Sequence, residues 1–268
     1  MSRTGDQELA KGVGRALAGA LLFALPLLMT MEFWRLAHTV ERYRLALLVV
    51  VTVLLVLGLN RSFGSGPDGV GVGGYLADAG VALLAAAVAA TVVLGTLGVI
   101  DPLRDWRAAL SVIAMETLPA AIGASYARSQ LGQGSRRPAG TGYGHEVFLM
   151  TAGAVVFAAN IAPTEEVVLL AADAGPVRVV LLVVLSLVLM HGFVYAVGFG
   201  GQEKATSGLV RSFLTLTVVG YAAAFAVSAY ILWTFGRFDG TGLTMAVSQT
   251  VVLALPGSIG AAAARLIL

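Results

Sequence analysis

The chemistry available to this 268-residue chain lies in a few polar side chains set among apolar ones. The densest group is Asn160-Ile161-Ala162-Pro163-Thr164-Glu165-Glu166. Pro163 has no N–H for the carbonyl of Ala159, so the residues predict a kinked helix there and a freed carbonyl oxygen. That carbonyl, an amide, a hydroxyl and two carboxylates then share about two helical turns, an oxygen-rich setting of the kind hard cations and protons prefer. Broken helices near the bilayer midplane are how many transporters build such sites. Neighbouring carboxylates in a low dielectric repel, which favours uptake of a proton by one of them and would suit cation/proton exchange. A milder version occurs earlier, with Pro26 at the position of Asn160, followed by Thr30 and Glu32.

Two further polar residues stand apart from these runs, Glu116 and His191, and form a candidate secondary polar pair. A charged side chain at a helix centre costs about 2.5 to 3.5 kcal/mol on insertion scales, so it faces protein or water and is a functional candidate by default. Each also has a structural reading. Glu32 would pair with Arg35 or snorkel to the interface, Glu165 and Glu166 would reach outer water, and Glu116 and His191 would bond each other or a backbone carbonyl. Trp34 and Trp106 read as interface anchors.

The surroundings of these residues are lipid-like. Hydrophobic residues make up 58% of the chain and charged ones 12%, against a globular average of about 25%. Mean hydropathy is +0.88. A bilayer core of roughly 30 Å takes about 20 apolar residues per helix. Because lipid leaves backbone groups unsatisfied, spans are helices or closed barrels. Unalternated runs such as Leu45 to Leu59 exclude barrel strands. The fold class is therefore all-α and polytopic, with spans near 16–37, 43–60, 75–100, 106–127, 147–172, 177–198, 208–234 and 243–267. Basic residues ahead of the first run resemble a signal peptide, but the run continues to Ala37, so a retained span is expected. Ser62 to Gly74 and Gly132 to Gly144 read as Gly-rich linkers, and Asp101 to Asp105 and Asp239 to Gly242 as short polar turns. No Gly-Lys-Ser/Thr follows Gly69-Val70-Gly71-Val72-Gly73-Gly74, which excludes a phosphate loop. The chain has no cysteine, and a net charge of +2 scattered over helix ends is no nucleic-acid footprint.

Sliding the chain by 134 residues aligns its halves without a gap. Gly19-Ala20 falls on Gly153-Ala154, Phe23-Ala24 on Phe157-Ala158, Thr30 on Thr164, Glu32 on Glu166 and Arg44 on Arg178. Between Gly19 and Gly64 there are 16 identities in 46 positions, where chance would give about a tenth. At an offset of 137, Leu118-Pro119 matches Leu255-Pro256 and Ile122-Gly123-Ala124 matches Ile259-Gly260-Ala261. The third and seventh spans match poorly. The reading is two tandem parallel four-helix repeats, 16–130 and 147–268, joined by a linker at 131–146 and preceded by a segment at 1–15. Of the basic residues, ten fall on the side of the termini and seven opposite, which places both termini in the cytoplasm.

The motif from Asn160 to Glu166, with Gly19 to Trp34 and the two-by-four layout, resembles a family of bacterial integral membrane proteins classed as a domain of unknown function. The resemblance implies a multi-pass protein of a bacterial inner membrane and no particular activity. The run is similar only in part to the Asn-x-Pro-Glu signature of calcium/cation exchangers, because Asn160 and Pro163 stand three apart and those exchangers use inverted five-helix repeats. The expected function is transport or channelling of a small cation or protons, with Glu32, Glu165, Glu166, Asn160 and Thr164 as binding groups and breaks at Pro163 and Pro26. The alternative is a scaffold or sensor whose carboxylates lock helices together. No hydrolase or zinc-enzyme motif is present, so an enzyme and a cofactor are not expected, and the metal, if any, is unassigned. The expected partners are the bilayer and a small cation or proton, with no nucleic acid; an oligomer is compatible with the sequence.

Overall fold

The computed structural model describes residues 3–63, 72–130, 142–196 and 213–267; the readings placed on 64–71, 131–141 and 197–212 lie outside them. The chain divides into two compact units, Met1–Thr141 and Gly142–Leu268. The first contains α1 (Arg3–Leu28), α2 (Met31–Thr39), α3 (Arg42–Phe63), α4 (Val72–Thr96) and α5 (Trp106–Gln130). The second contains α6 (Tyr143–Ile161), α7 (Glu166–Asp173), α8 (Pro176–Ala196), a π-helical turn Phe213–Val218 leading into α9 (Val219–Thr234), and α10 (Leu243–Ile267). Among the described residues there is no strand, and eight helices are long and apolar enough to cross a membrane.

The first and fifth spans are not the continuous helices expected over 16–37 and 147–172. Each stops and restarts as a short helix, α2 with 9 residues and α7 with 8. In the first unit Pro26 occupies the last turn of α1, and Thr30 is extended at φ −100° and ψ 112°. The Thr30 hydroxyl donates back to the Pro26 carbonyl at 2.7 Å, which competes with helix propagation. In the second unit Ala162 N–H bonds the Ala158 carbonyl at 2.8 Å and Thr164 N–H the Ile161 carbonyl at 3.0 Å, so the ladder tightens and ends around Pro163. A proline therefore ends the helix here instead of bending it, because the residue after it already bonds a nearer carbonyl.

Glycine closes α4 and α9 in the same manner. Gly98 and Gly236 both have φ 72°. Val99 N–H reaches the Leu94 carbonyl and Arg237 N–H the Leu232 carbonyl, each at 2.9 Å, which is the six-to-one bond of a left-handed helix stop. After the first stop, Asp105 Oδ1 accepts the N–H groups of Arg107 at 3.1 Å and Ala108 at 3.0 Å and so caps α5.

The helices α5 and α10 are the cores of their units, each touching every other helix within it. In both, 67% of the span is buried, against 11 to 44% in the other six. Lipid tails give no hydrophobic drive for helices to associate, so close approach depends on small residues. A Cβ placed on Gly19 would overlap the Gly123 backbone, and one on Gly153 would overlap that of Gly260. The residues facing away from these cores, among them Leu22, Leu54, Leu84, Leu169, Leu181 and Val188, are exposed and apolar, as a lipid-facing rim requires.

Candidate functional site

The break between α6 and α7 collects the motif read from the sequence. Asn160 lies in the last turn of α6, and its Nδ2 donates to the Val156 carbonyl at 2.8 Å while its Oδ1 is buried without a partner among the described residues. Ala162 and Pro163 are buried. The Thr164 hydroxyl donates to the Ile161 carbonyl at 2.9 Å. The Pro163 carbonyl is taken by Nη2 of Arg237, from the turn that follows α9. A guanidinium on a freed carbonyl is a strong, charge-assisted partner, and it places a positive charge at the break. Arg237 stood in the sequence only as one basic residue in a loop. The available signal was its place directly after Gly236, on the turn that ends a span.

Glu165 and Glu166 are exposed, Glu165 preceding the first turn of α7 and Glu166 opening it. Carboxylates at a helix N-terminus are favoured by the free N–H groups there. Glu166 also lines one wall of a cavity of about 500 Å³ between α7, α8 and α10. Glu32 holds the corresponding place in the first turn of α2 and is half-buried. At this earlier break the carbonyl of Leu28 is satisfied by Nε1 of Trp34 at 3.0 Å. Trp34 thus bonds the end of α1, a role the interface-anchor reading did not include.

Glu116 is unlike the other acids. It lies in the middle of α5, its side chain is 0% exposed, and neither carboxylate oxygen has a hydrogen-bond partner among the described residues. Pro119, inside the same helix, has no N–H for the carbonyl of Met115, so a second oxygen acceptor lies one residue from Glu116. An uncompensated buried charge costs several kcal/mol, so this site is suited to a proton or a small cation on the carboxylate. The position three residues before the proline of α10, Pro256, is Leu253, also fully buried.

His191, the residue grouped with Glu116 on sequence grounds, belongs to the second unit, where Nδ1 lies 2.9 Å from the Thr217 hydroxyl. Its ring packs edge-on against Phe213 at 5.1 Å. Both partners come from the π-helical turn ahead of α9, where a widened turn brings Thr217 into a buried position. Gln249 in α10, for which the sequence offers no signal, is 0% exposed and its amide has no partner among the described residues. Among the described residues no three His, Cys, Asp or Glu side chains gather as a metal site. A cation here would depend on carbonyl, amide and hydroxyl oxygens beside one or two carboxylates.

Comparison with curated proteins and with solved structures finds no match. A family model described as "Putative integral membrane protein (DUF2391)" matches residues 12–268. With eight membrane-length helices and a match over nearly the whole length, this chain belongs to the DUF2391 family of integral membrane proteins.

Proposed function

We propose that the protein is a transporter or channel for protons or a small cation, working through carboxylates held within the membrane. The observation that carries this reading is Glu116, a carboxylate in a membrane span with no exposure and no hydrogen-bond donor among the described residues. An acid kept at such cost is expected to exchange something, and a proton or a bare cation is what its two oxygens accept. Glu32 follows α1 in the first unit, Glu165 and Glu166 follow α6 in the second, and each would attract cations to the break in its own unit. Asn160 and Thr164 supply neutral oxygens at the second break.

The two units are read as copies of one four-helix ancestor, embedded in a bacterial inner membrane with both termini cytoplasmic. Support for duplication comes from the paired glycine crossings, Gly19 with Gly123 and Gly153 with Gly260, and from the matched helix stops at Gly98 and Gly236. The latter join the third and seventh spans, whose sequences agree least.

The test is ion and proton flux in proteoliposomes for the wild type and for Glu116→Gln, with circular dichroism to establish folding. Loss of pH- or cation-dependent flux in a folded variant is expected; wild-type flux would sink the assignment of Glu116.

A second reading applies to the motif at the second break. The Pro163 carbonyl, the Thr164 hydroxyl and the Asn160 amide N–H groups are engaged locally or by Arg237, which favours a structural lock at this point. Under that reading Glu166→Gln leaves flux unchanged.

A further inference from the structure

The first unit contains a groove of about 720 Å³ between α2, α3 and α5. Its walls are apolar where it runs along the spans, with Leu45 and Val49 from α3 and Leu110 and Ala114 from α5. Its mouth lies at the beginnings of α3 and α5, where the membrane spans Arg42–Ser62 and Trp106–Ala127 start. Three cationic or N–H-donating side chains surround that mouth: His38, Arg42 and Arg107. Arg107 stacks its guanidinium over the Trp106 ring at 5.4 Å, which holds it at the level where tryptophan anchors a helix in the interface.

Neither Arg42 nor Arg107 has an ion-pair partner among the described residues. The acid at the mouth, Asp105, has one oxygen occupied by capping α5. Both α3 and α5 begin at this opening, so the positive ends of their dipoles lie there, with the N–H groups of Arg107 and Ala108 already taken by Asp105. The mouth is therefore electropositive at headgroup depth, and the body is apolar at acyl-chain depth.

The corresponding groove of the second unit, between α7, α8 and α10, provides a contrast within one chain. Its lining includes Glu166 and Asp173, and its one arginine, Arg178, is paired with Asp173 at 2.7 Å. The two grooves thus differ in the sign of the charge along their lining.

We propose that the α2–α3–α5 groove is a binding site for an anionic phospholipid, with the headgroup phosphate held by Arg42, Arg107 and His38 and an acyl chain lying along Leu45, Val49 and Leu110. A phosphate matches the guanidinium forks, and the chain replaces bulk lipid against an existing apolar wall. A zwitterionic lipid brings a choline that the two arginines repel. The second groove, with acids in its lining, disfavours the same headgroup.

The experiment is lipid retention by the full-length purified protein, read by native mass spectrometry after delipidation and addition of phosphatidylglycerol or phosphatidylcholine. The wild type is expected to retain phosphatidylglycerol preferentially. The Arg42→Gln/Arg107→Gln double variant should bind it roughly 30-fold more weakly, taking each basic group near a headgroup at its usual strength. Arg178→Gln serves as the control and should retain it as the wild type does, and Arg42→Lys/Arg107→Lys should recover most of the binding. All three keep the helices intact, because the altered side chains are exposed. Equal retention of the two lipids by the wild type, or undiminished phosphatidylglycerol binding in the glutamine double variant, overturns the proposal. So does displacement of the lipid by millimolar inorganic phosphate alone, which would mark a site for the free anion.

Discussion

Arg237 donates a guanidinium N–H to the carbonyl oxygen of Pro163, across 74 residues of sequence. The bond ties the turn after α9 to the point where α6 ends. In the first unit Val99 follows Gly98 as Arg237 follows Gly236, and the broken helix there is held instead by Trp34 on the Leu28 carbonyl. Two different donors thus serve the same need, a carbonyl released where a span stops inside an apolar environment.

Removing the first of these donors should be costly. Arg237→Ala is expected to destabilise the protein by about 1.5 to 3 kcal/mol, the usual scale for a hydrogen bond to a charged group. Trp34→Phe, which removes a neutral donor, should cost about 1 kcal/mol. Melting in detergent, followed by circular dichroism, measures both; an Arg237→Ala variant that melts with the wild type would show that the Pro163 carbonyl finds another partner.

The glycine crossings lead to a paired prediction. Gly19→Ala and Gly153→Ala place a methyl group against the backbone of Gly123 and Gly260, where no flexible side chain can yield. Each should cost about 1 to 3 kcal/mol through overpacking. Gly80→Ala, where a Cβ would meet nothing within 4 Å, is the control and should be neutral or slightly stabilising. Equal melting temperatures across the set would contradict the crossings.

For Glu116 stability and transport are expected to separate. Glu116→Gln keeps the shape and removes a charge that has no donor among the described residues, so stability should hold or rise while flux disappears. A scaffold role predicts the reverse, with a lower melting temperature and no effect of any ion on it.

The exposed acids should act weakly and through the solvent. Glu165→Gln and Glu166→Gln are each expected to change stability by less than about 0.5 kcal/mol. If they gather cations, flux should fall at low ionic strength and recover as salt is raised toward 1 M, where screening acts over only about 3 Å. A deficit that persists at high salt would identify them as direct ligands.

The amino-acid sequence was sufficient for the membrane class, the helical fold, the eight spans and the polar turns, because each depends on local composition and on the lipid's inability to satisfy backbone groups. Gly19, Gly123, Gly153 and Gly260 stood out in the sequence only as positions shared between its halves; that they pair across helix crossings is a tertiary fact. What the sequence left open was decided by distance along the chain. Nothing near Pro163 announces that the donor for its carbonyl is Arg237, and nothing near Glu116 announces that its carboxylate is fully buried with no hydrogen-bond partner among the described residues. Glu165 and Glu166 fall inside the span expected over 147–172, yet the helix stops before them and they reach the surface. Periodicity reports which face of a helix is apolar; whether a carboxylate ends up exposed or sealed depends on where the helix terminates and what packs over it, and only the tertiary structure determines both.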